Sequence, residues 1–153
     1  MGSDEIRELV ERWVRAIKAG DLDAVVADHA DDVLMFDVPP PGEGVRGLAA
    51  YREVWPPFFE YIRSGAAFEL RSLDVTAGAD VGYATALLVC GTPEELATKP
   101  LDFRLRITLG LRRDDGALGD RPRAPLILRP RLTRSRSPPR SGTPRPRGPR
   151  RTR

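Results

Sequence analysis

The stretch that decides the fold is Leu101–Gly116, "LDFRLRITLGLRRDDG". Leu101, Phe103, Leu105, Ile107, Leu109 and Leu111 fall on one side of an extended chain, and Asp102, Arg104, Arg106, Thr108 and Arg112 on the other. Successive side chains of a strand point to opposite faces, so this alternation predicts a strand with one buried and one wet face. Asp115-Gly116 then supplies a tight hairpin turn. Upstream, "VGYATALLVC" is apolar on both faces and reads as a central strand. "FELRSLDV" changes phase near Ser72, as a β-bulge would make it.

Helical signals precede these strands. Ser3 can cap a first helix, with Asp4 and Glu5 favourable in its first turn. Ile6, Leu9, Val10, Trp13, Val14 and Ile17 share one helical face, and Gly20 ends the run. Asp21 can cap a short second helix over 22–30, and "DDVLMFDV" follows as a strand stopped by Pro39, Pro40 and Pro41. From Arg46-Gly47 the residues Leu48, Tyr51, Trp55, Phe58, Phe59 and Ile62 keep helical spacing across Pro56-Pro57, where a kink or a restart is expected. The order helix, helix, strand, helix, then antiparallel strands is an α+β layout, with helices packed on one curved sheet.

The composition changes abruptly at the turn. Residues 1–116 carry 13 Lys/Arg against 21 Asp/Glu, a net of −8, whereas 117–153 carry 12 Arg against one acid, a net of +11. The tail holds 8 of the 15 prolines and no aromatic residue. Such a segment cannot bury enough apolar area to offset the entropy of ordering it. The expected organisation is therefore a domain over 1–116 and a disordered Arg/Pro-rich tail over 117–153. "APLILRP" offers four apolar residues without alternation, a poor substitute for the strand that the turn calls for.

"AGDLDAVVADHADDVLMFDVPPP", the helix carrying "YREVW", and "FRLRITLGLRRDDG" together resemble the SnoaL-like branch of the nuclear transport factor 2 superfamily, over residues 4–116. That superfamily includes ketosteroid isomerases, polyketide cyclases and limonene epoxide hydrolase. The resemblance implies a cone-shaped fold whose curved antiparallel sheet wraps a small apolar or polyketide-like ligand, with acid–base chemistry needing no cofactor. It also implies homodimers formed through the sheet. In ketosteroid isomerases a general-base aspartate ends the strand after an "ADD" segment, and Asp37 matches that spacing. A carboxylate beside an apolar cavity has its anion desolvated and its pKa raised toward useful values. The structural alternative is a strand-end aspartate that accepts backbone N–H groups of the proline turn.

Other positions depart from the isomerase pattern. Trp13 stands where the isomerases place an oxyanion-binding tyrosine, and Arg106 and Thr108 stand near their protonated acid. The residues read as lining a ligand pocket are Trp13, Tyr51, Trp55, Phe59, Arg104 and Arg106. Each has a plainer reading: the aromatics as a core stripe, and the arginines as a solvated or dimer-forming face. His29 offers a base, with a helix C-terminal residue favoured by the dipole as the preferred reading, and Cys90 is read as a buried apolar residue. One histidine and one cysteine argue against a zinc site, and the lone cysteine excludes an internal disulfide. No apolar run approaches ~18 residues, and the N-terminus lacks a signal-peptide pattern, so a cytoplasmic protein with no membrane partner is expected. The tail could attract nucleic acid electrostatically. Without aromatic residues for stacking, such binding would be nonspecific and salt-sensitive, and a selected nucleic-acid role is not favoured.

Relatives of this branch usually continue past the turn with a strand resembling Arg-Trp-Val-Ile-Ala-His-Glu-His-His-Ser. Ala117–Leu126 can be back-translated so that reading one base forward spells that strand. The tail thus has the character of a frame change near Gly116. The gene is expected to spell this strand in the +1 frame from codon 117. Its nucleotide sequence decides, because codons for Ala117–Pro125 that cannot do so exclude the frame change.

Overall fold

The computed structural model describes residues 1–36, 44–99 and 103–113, together with the strand backbone of 122–123 and 126–128. It begins with α1 (Ser3–Ala19) and α2 (Leu22–Val26), followed by the two-residue strands β1 (Leu34–Met35) and β2 (Val45–Arg46). Next come α3 (Leu48–Glu53), α4 (Trp55–Arg63), β3 (Ala67–Ala77), β4 (Val81–Gly91), α5 (Pro93–Thr98) and β5 (Arg104–Arg113). Two short strands, β6 (Pro122–Arg123) and β7 (Leu126–Leu128), complete the order.

The α1 face predicted from spacing is buried: Ile6, Leu9, Val10, Trp13, Val14 and Ile17 all belong to the core. Its start differs by one residue from expectation. Gly2 occupies the cap position, Ser3 is the first helical residue, and the Glu5 carboxylate accepts the Gly2 N–H at 3.1 Å. That carboxylate replaces the hydroxyl cap by satisfying an orphan donor from inside the first turn. Gly20 closes the helix at φ 69°, in the left-handed region. Asp21 does cap α2, accepting the Ala24 N–H at 3.0 Å. The helix stops at Val26, short of the expected 30.

Pro56 and Pro57 produce a restart. The chain breaks after Glu53, and the prolines sit in the first turn of α4, where helical N–H groups lack partners anyway. Gly47, at φ 83°, turns the chain into α3 while its N–H donates to the Val33 carbonyl at 2.8 Å. Of the predicted strand over 31–38, the described residues 31–36 pair with β2 at Leu34–Met35. Residues 37–43 lie outside the described set, and so do Leu101, Asp102 and the Asp115-Gly116 turn.

The main sheet runs β3-β4-β5, antiparallel throughout, with β6 and β7 both on the far edge of β5. β4 is central, as its two apolar faces require. The register of β3 shifts between Leu70 and Ser72, at the predicted bulge. Beyond β5, Leu126–Leu128 pairs with Ile107–Leu109, and Pro122–Arg123 pairs with Arg112–Arg113. "APLILRP" therefore contributes strand pairing despite its poor pattern. The rest of 114–153 is outside the described residues.

The inner face of the sheet, with Phe68, Ala84, Ala86, Leu88, Ile107, Leu109 and Leu111, packs on α1 and α4 around the core. No helix among the described residues is long and apolar enough to cross a membrane. Leu88 is fully buried at the centre of β4. Leu88→Ala is expected to cost about 2–5 kcal/mol through lost burial and a residual cavity, measured by urea unfolding.

Candidate functional site

A cavity of about 90 Å³ opens between the helices and the inner face of the sheet. Trp13 of α1, Met35 of β1, Val54, and Trp55 and Phe58 of α4 line one side; Phe68, Leu105 and Ile107 from the sheet line the other. The aromatic rings meet edge to face: Trp13 and Trp55 lie 6.0 Å apart at 83°, and Phe58 and Phe68 5.5 Å apart at 81°. Such contacts fix the ring planes, so the walls are set by the core itself.

Two of the predicted pocket residues, Trp13 and Trp55, line this cavity. Tyr51 and Phe59 are buried behind them: Tyr51 contacts Trp55 edge to face, and Phe59 stacks on it. Arg104 and Arg106 do not join the group. The buried face of β5 is Leu105, Ile107, Leu109 and Leu111, so both arginines lie exposed on the opposite face of the sheet. Strict alternation dictated this placement, and a pocket containing both Leu105 and Arg106 would violate it. Asp37 lies outside the described residues. The sequence reading missed Met35, Val54, Phe58, Phe68, Leu105 and Ile107 as lining residues. Phe58 and Phe68 carried a usable signal, since each sits on the inward period of its own element.

Two of the lining residues, Trp13 and Trp55, carry a polar atom on an aromatic ring. The indole N–H groups of Trp13 and Trp55 are buried and have no hydrogen-bond partner among the described residues. A buried N–H left unpaired costs about 1–3 kcal/mol.

His29 is not at a helix end. It lies three residues beyond α2, is 5% exposed, and stacks on Tyr51 with ring centroids 4.5 Å apart. Burial pushes its pKa down from 6.5 to about 4, against the opposing influence of the Asp28 charge and the Val25 carbonyl. Neither ring nitrogen has a hydrogen-bond partner among the described residues, so the nearby Val25 carbonyl favours the cation without meeting hydrogen-bond geometry. Arg12 engages the Asp28 carboxylate at 2.6 Å and competes for its charge. The imidazole is therefore neutral at pH 7.

Two polar clasps surround the core. Arg112 holds Asp32 with two hydrogen bonds of 2.9 and 2.7 Å, which lowers the pKa of that exposed carboxyl and ties the approach to β1 to the end of β5. At the other end, the Tyr61 hydroxyl donates to Glu95 at 2.5 Å. Partial burial and this carboxylate push the tyrosine up to about 12, and the same bond lowers Glu95. Glu95 also accepts the Thr92 N–H at 2.7 Å, completing a capping box on α5. The sequence reading did not place α5, although "TPEE" carries its signature: a Thr cap, Pro in the first turn and Glu three residues after the cap.

The family model for the SnoaL-like domain matches residues 6–117. The chain belongs to the SnoaL-like domain family. Among solved structures, this SnoaL-like chain is similar to an NTF2-like protein of unknown function from Pseudomonas putida KT2440. The two share 26% identity over 93% of this chain and 96% of that one, with a TM-score of 0.70. It is also similar to a candidate ketosteroid isomerase from Shewanella frigidimarina, at 17% identity over 78% and 90% of the two chains and a TM-score of 0.63. The S. rosetta CaMKII hub matches at 18% identity over 83% and 95%, with a TM-score of 0.62. No curated protein matches the chain. The likenesses below 25% identity establish the α+β NTF2-like fold and leave the chemistry to the site.

Acid should act on this domain through His29. Its folded value lies below the unfolded 6.5, so the unfolded chain takes up the proton first as pH falls. The stability held above pH 6.5 is expected to decline toward pH 4, by on the order of 3 kcal/mol. His29→Phe keeps the stacking and removes the titration. Denaturant unfolding at a series of pH values should show that the variant lacks this loss.

Proposed function

We propose that this SnoaL-like domain binds a small apolar molecule carrying a hydrogen-bond-accepting oxygen, of which a polyketide-like carbonyl compound is one class, in the cavity between Trp13, Trp55 and Ile107. The observation that carries this reading is the pair of unpartnered indole N–H groups on two residues of an otherwise apolar wall. The space of about 90 Å³ is below the ~300–1,000 Å³ usual for ligand sites, which favours a body of about one ring.

In the catalytic form of the reading, Asp37 takes a proton from carbon next to that oxygen, and Trp13 donates its N–H to the developing enolate. An indole donor in place of a phenol supplies a weaker acid and no proton to hand over, so steroid isomerisation is disfavoured and simpler isomerase- or cyclase-like proton transfers are preferred. No cofactor enters this chemistry. The first alternative is a noncatalytic ligand-binding or dimerisation module. Exposed Val81 and Tyr83 on the outer face of β4 support pairing of two chains there, and one fold neighbour is a CaMKII hub. The second alternative, nonspecific nucleic-acid binding by the basic tail, has only the charge of 117–153 behind it. The tail is better read as out-of-frame sequence. An in-frame strand would have set histidines next to β5.

A panel of one-ring ketones and their hydrocarbon counterparts tests the binding. The ketones are expected to raise the melting temperature, and Trp13→Phe to weaken ketone binding about tenfold while leaving the hydrocarbons unchanged. Asp37→Asn should lower any turnover at least about 100-fold with binding intact. Binding without turnover in the wild-type chain selects the noncatalytic module.

A further inference from the structure

A second concave site lies on the other face of the sheet, separate from the cavity of the proposed function. It is an open groove of about 510 Å³ between Arg71 of β3, Leu87 and Val89 of β4, Leu96 of α5 and Arg104 of β5. The volume falls in the range of small-molecule sites.

The sequence builds this groove in three steps. The bulge between Leu70 and Ser72 inserts Arg71 as an extra residue, which bends the strand and re-aims that side chain. On β4, Leu87 and Val89 belong to the face opposite Ala86 and Leu88, and they remain half-buried where a solvated strand face would normally carry polar residues. Finally, α5 stands over the end of β4 as a wall. It is held by the Thr92–Glu95 capping box and by the Tyr61–Glu95 bond to α4, and these place Leu96 over the groove.

The charges set the chemistry. Arg104 is the cross-strand partner of Val89, and Arg106 that of Leu87. Arg71 is engaged by Glu69 at 2.7 Å, whereas Arg104 and Arg106 are exposed and form no ion pair among the described residues. A planar guanidinium fork matches a carboxylate in two parallel bonds. Two such forks beside an aliphatic floor and wall are complementary to an acid head joined to an apolar body.

We propose that this groove binds an organic monocarboxylate with an apolar chain or ring. The carboxylate pairs with Arg104 and Arg106, and the apolar body lies on Leu87, Val89 and Leu96. The proposal does not depend on catalysis or binding in the cavity on the inner face.

Sodium decanoate is the probe, titrated calorimetrically into the full chain below its micelle concentration. One saturable site is expected. Arg104→Gln and Arg106→Gln should each weaken it at least tenfold, Leu87→Glu should abolish it, and decanol should bind at least tenfold more weakly than decanoate. The arginine changes are at exposed positions, and unchanged unfolding curves would confirm intact folding. Absence of saturation overturns the proposal. So does binding that survives both arginine changes but is lost in the cavity-filling Ile107→Phe, a result that moves the ligand to the inner cavity and leaves the proposed function standing. If Leu87→Glu converts a dimer to a monomer and neither form takes up decanoate, a second copy occupies the groove and the proposal fails.

Discussion

Everything in this domain depends on β4 being paired along both of its sides while its inner face is buried under the helices. Its backbone groups are consumed by β3 on one flank and β5 on the other, so the strand can be apolar throughout without leaving orphan donors. Ala84, Ala86 and Leu88 then form a thin inner layer against which α1 can lie close. The small residues matter as much as Leu88. A Cβ on Gly82 would come within 2.9 Å of both the Ile6 terminal methyl and the Thr76 carbonyl, so a side chain there would press on α1 and on the pairing with β3. Because α1 carries Trp13, its seating also sets one wall of the cavity.

Charge is distributed in keeping with that layout. The helical layer holds its surface together with exposed ion pairs, Arg12 with Asp28 and Arg52 with Asp23, each worth little on its own. The buried polar groups are few and isolated: two indoles and one imidazole among the described residues without a hydrogen bond. This differs from a hydrogen-bonded catalytic network, in which side chains orient one another. The imidazole behind Tyr51 contributes packing at neutral pH.

The sheet was the most legible part of the chain. Period-two alternation in β5, two apolar faces in β4 and a phase change in β3 gave strand order and bulge, because each is a direct consequence of which side a residue faces. Helix α1 was equally clear, since a long amphipathic run repeats its signal over four turns. Short elements were not. α2 ended at Val26 although the apolar pattern ran on, and β1 pairs at two of the six described residues of its predicted span. In such pieces the turn geometry and tertiary contacts outweigh propensity. α5 escaped notice although its cap residues spell it out, because it buries no residue and so leaves no periodicity. The cavity was half visible. Trp13 and Trp55 stood out as aromatics on helices, but Leu105 and Ile107 looked like ordinary core, and Arg106 was admitted by analogy against its own alternation.

The bulge at Arg71 also has a bearing on how this molecule meets its neighbours. β3 is the edge of the sheet and runs for eleven residues, long enough to template another chain. An added strand would have to slip by one residue in mid-course to follow it, and it would run beside Glu69, Arg71 and Asp74. That border resists lateral growth by its own irregularity, which throws any strand laid along it out of step at Arg71.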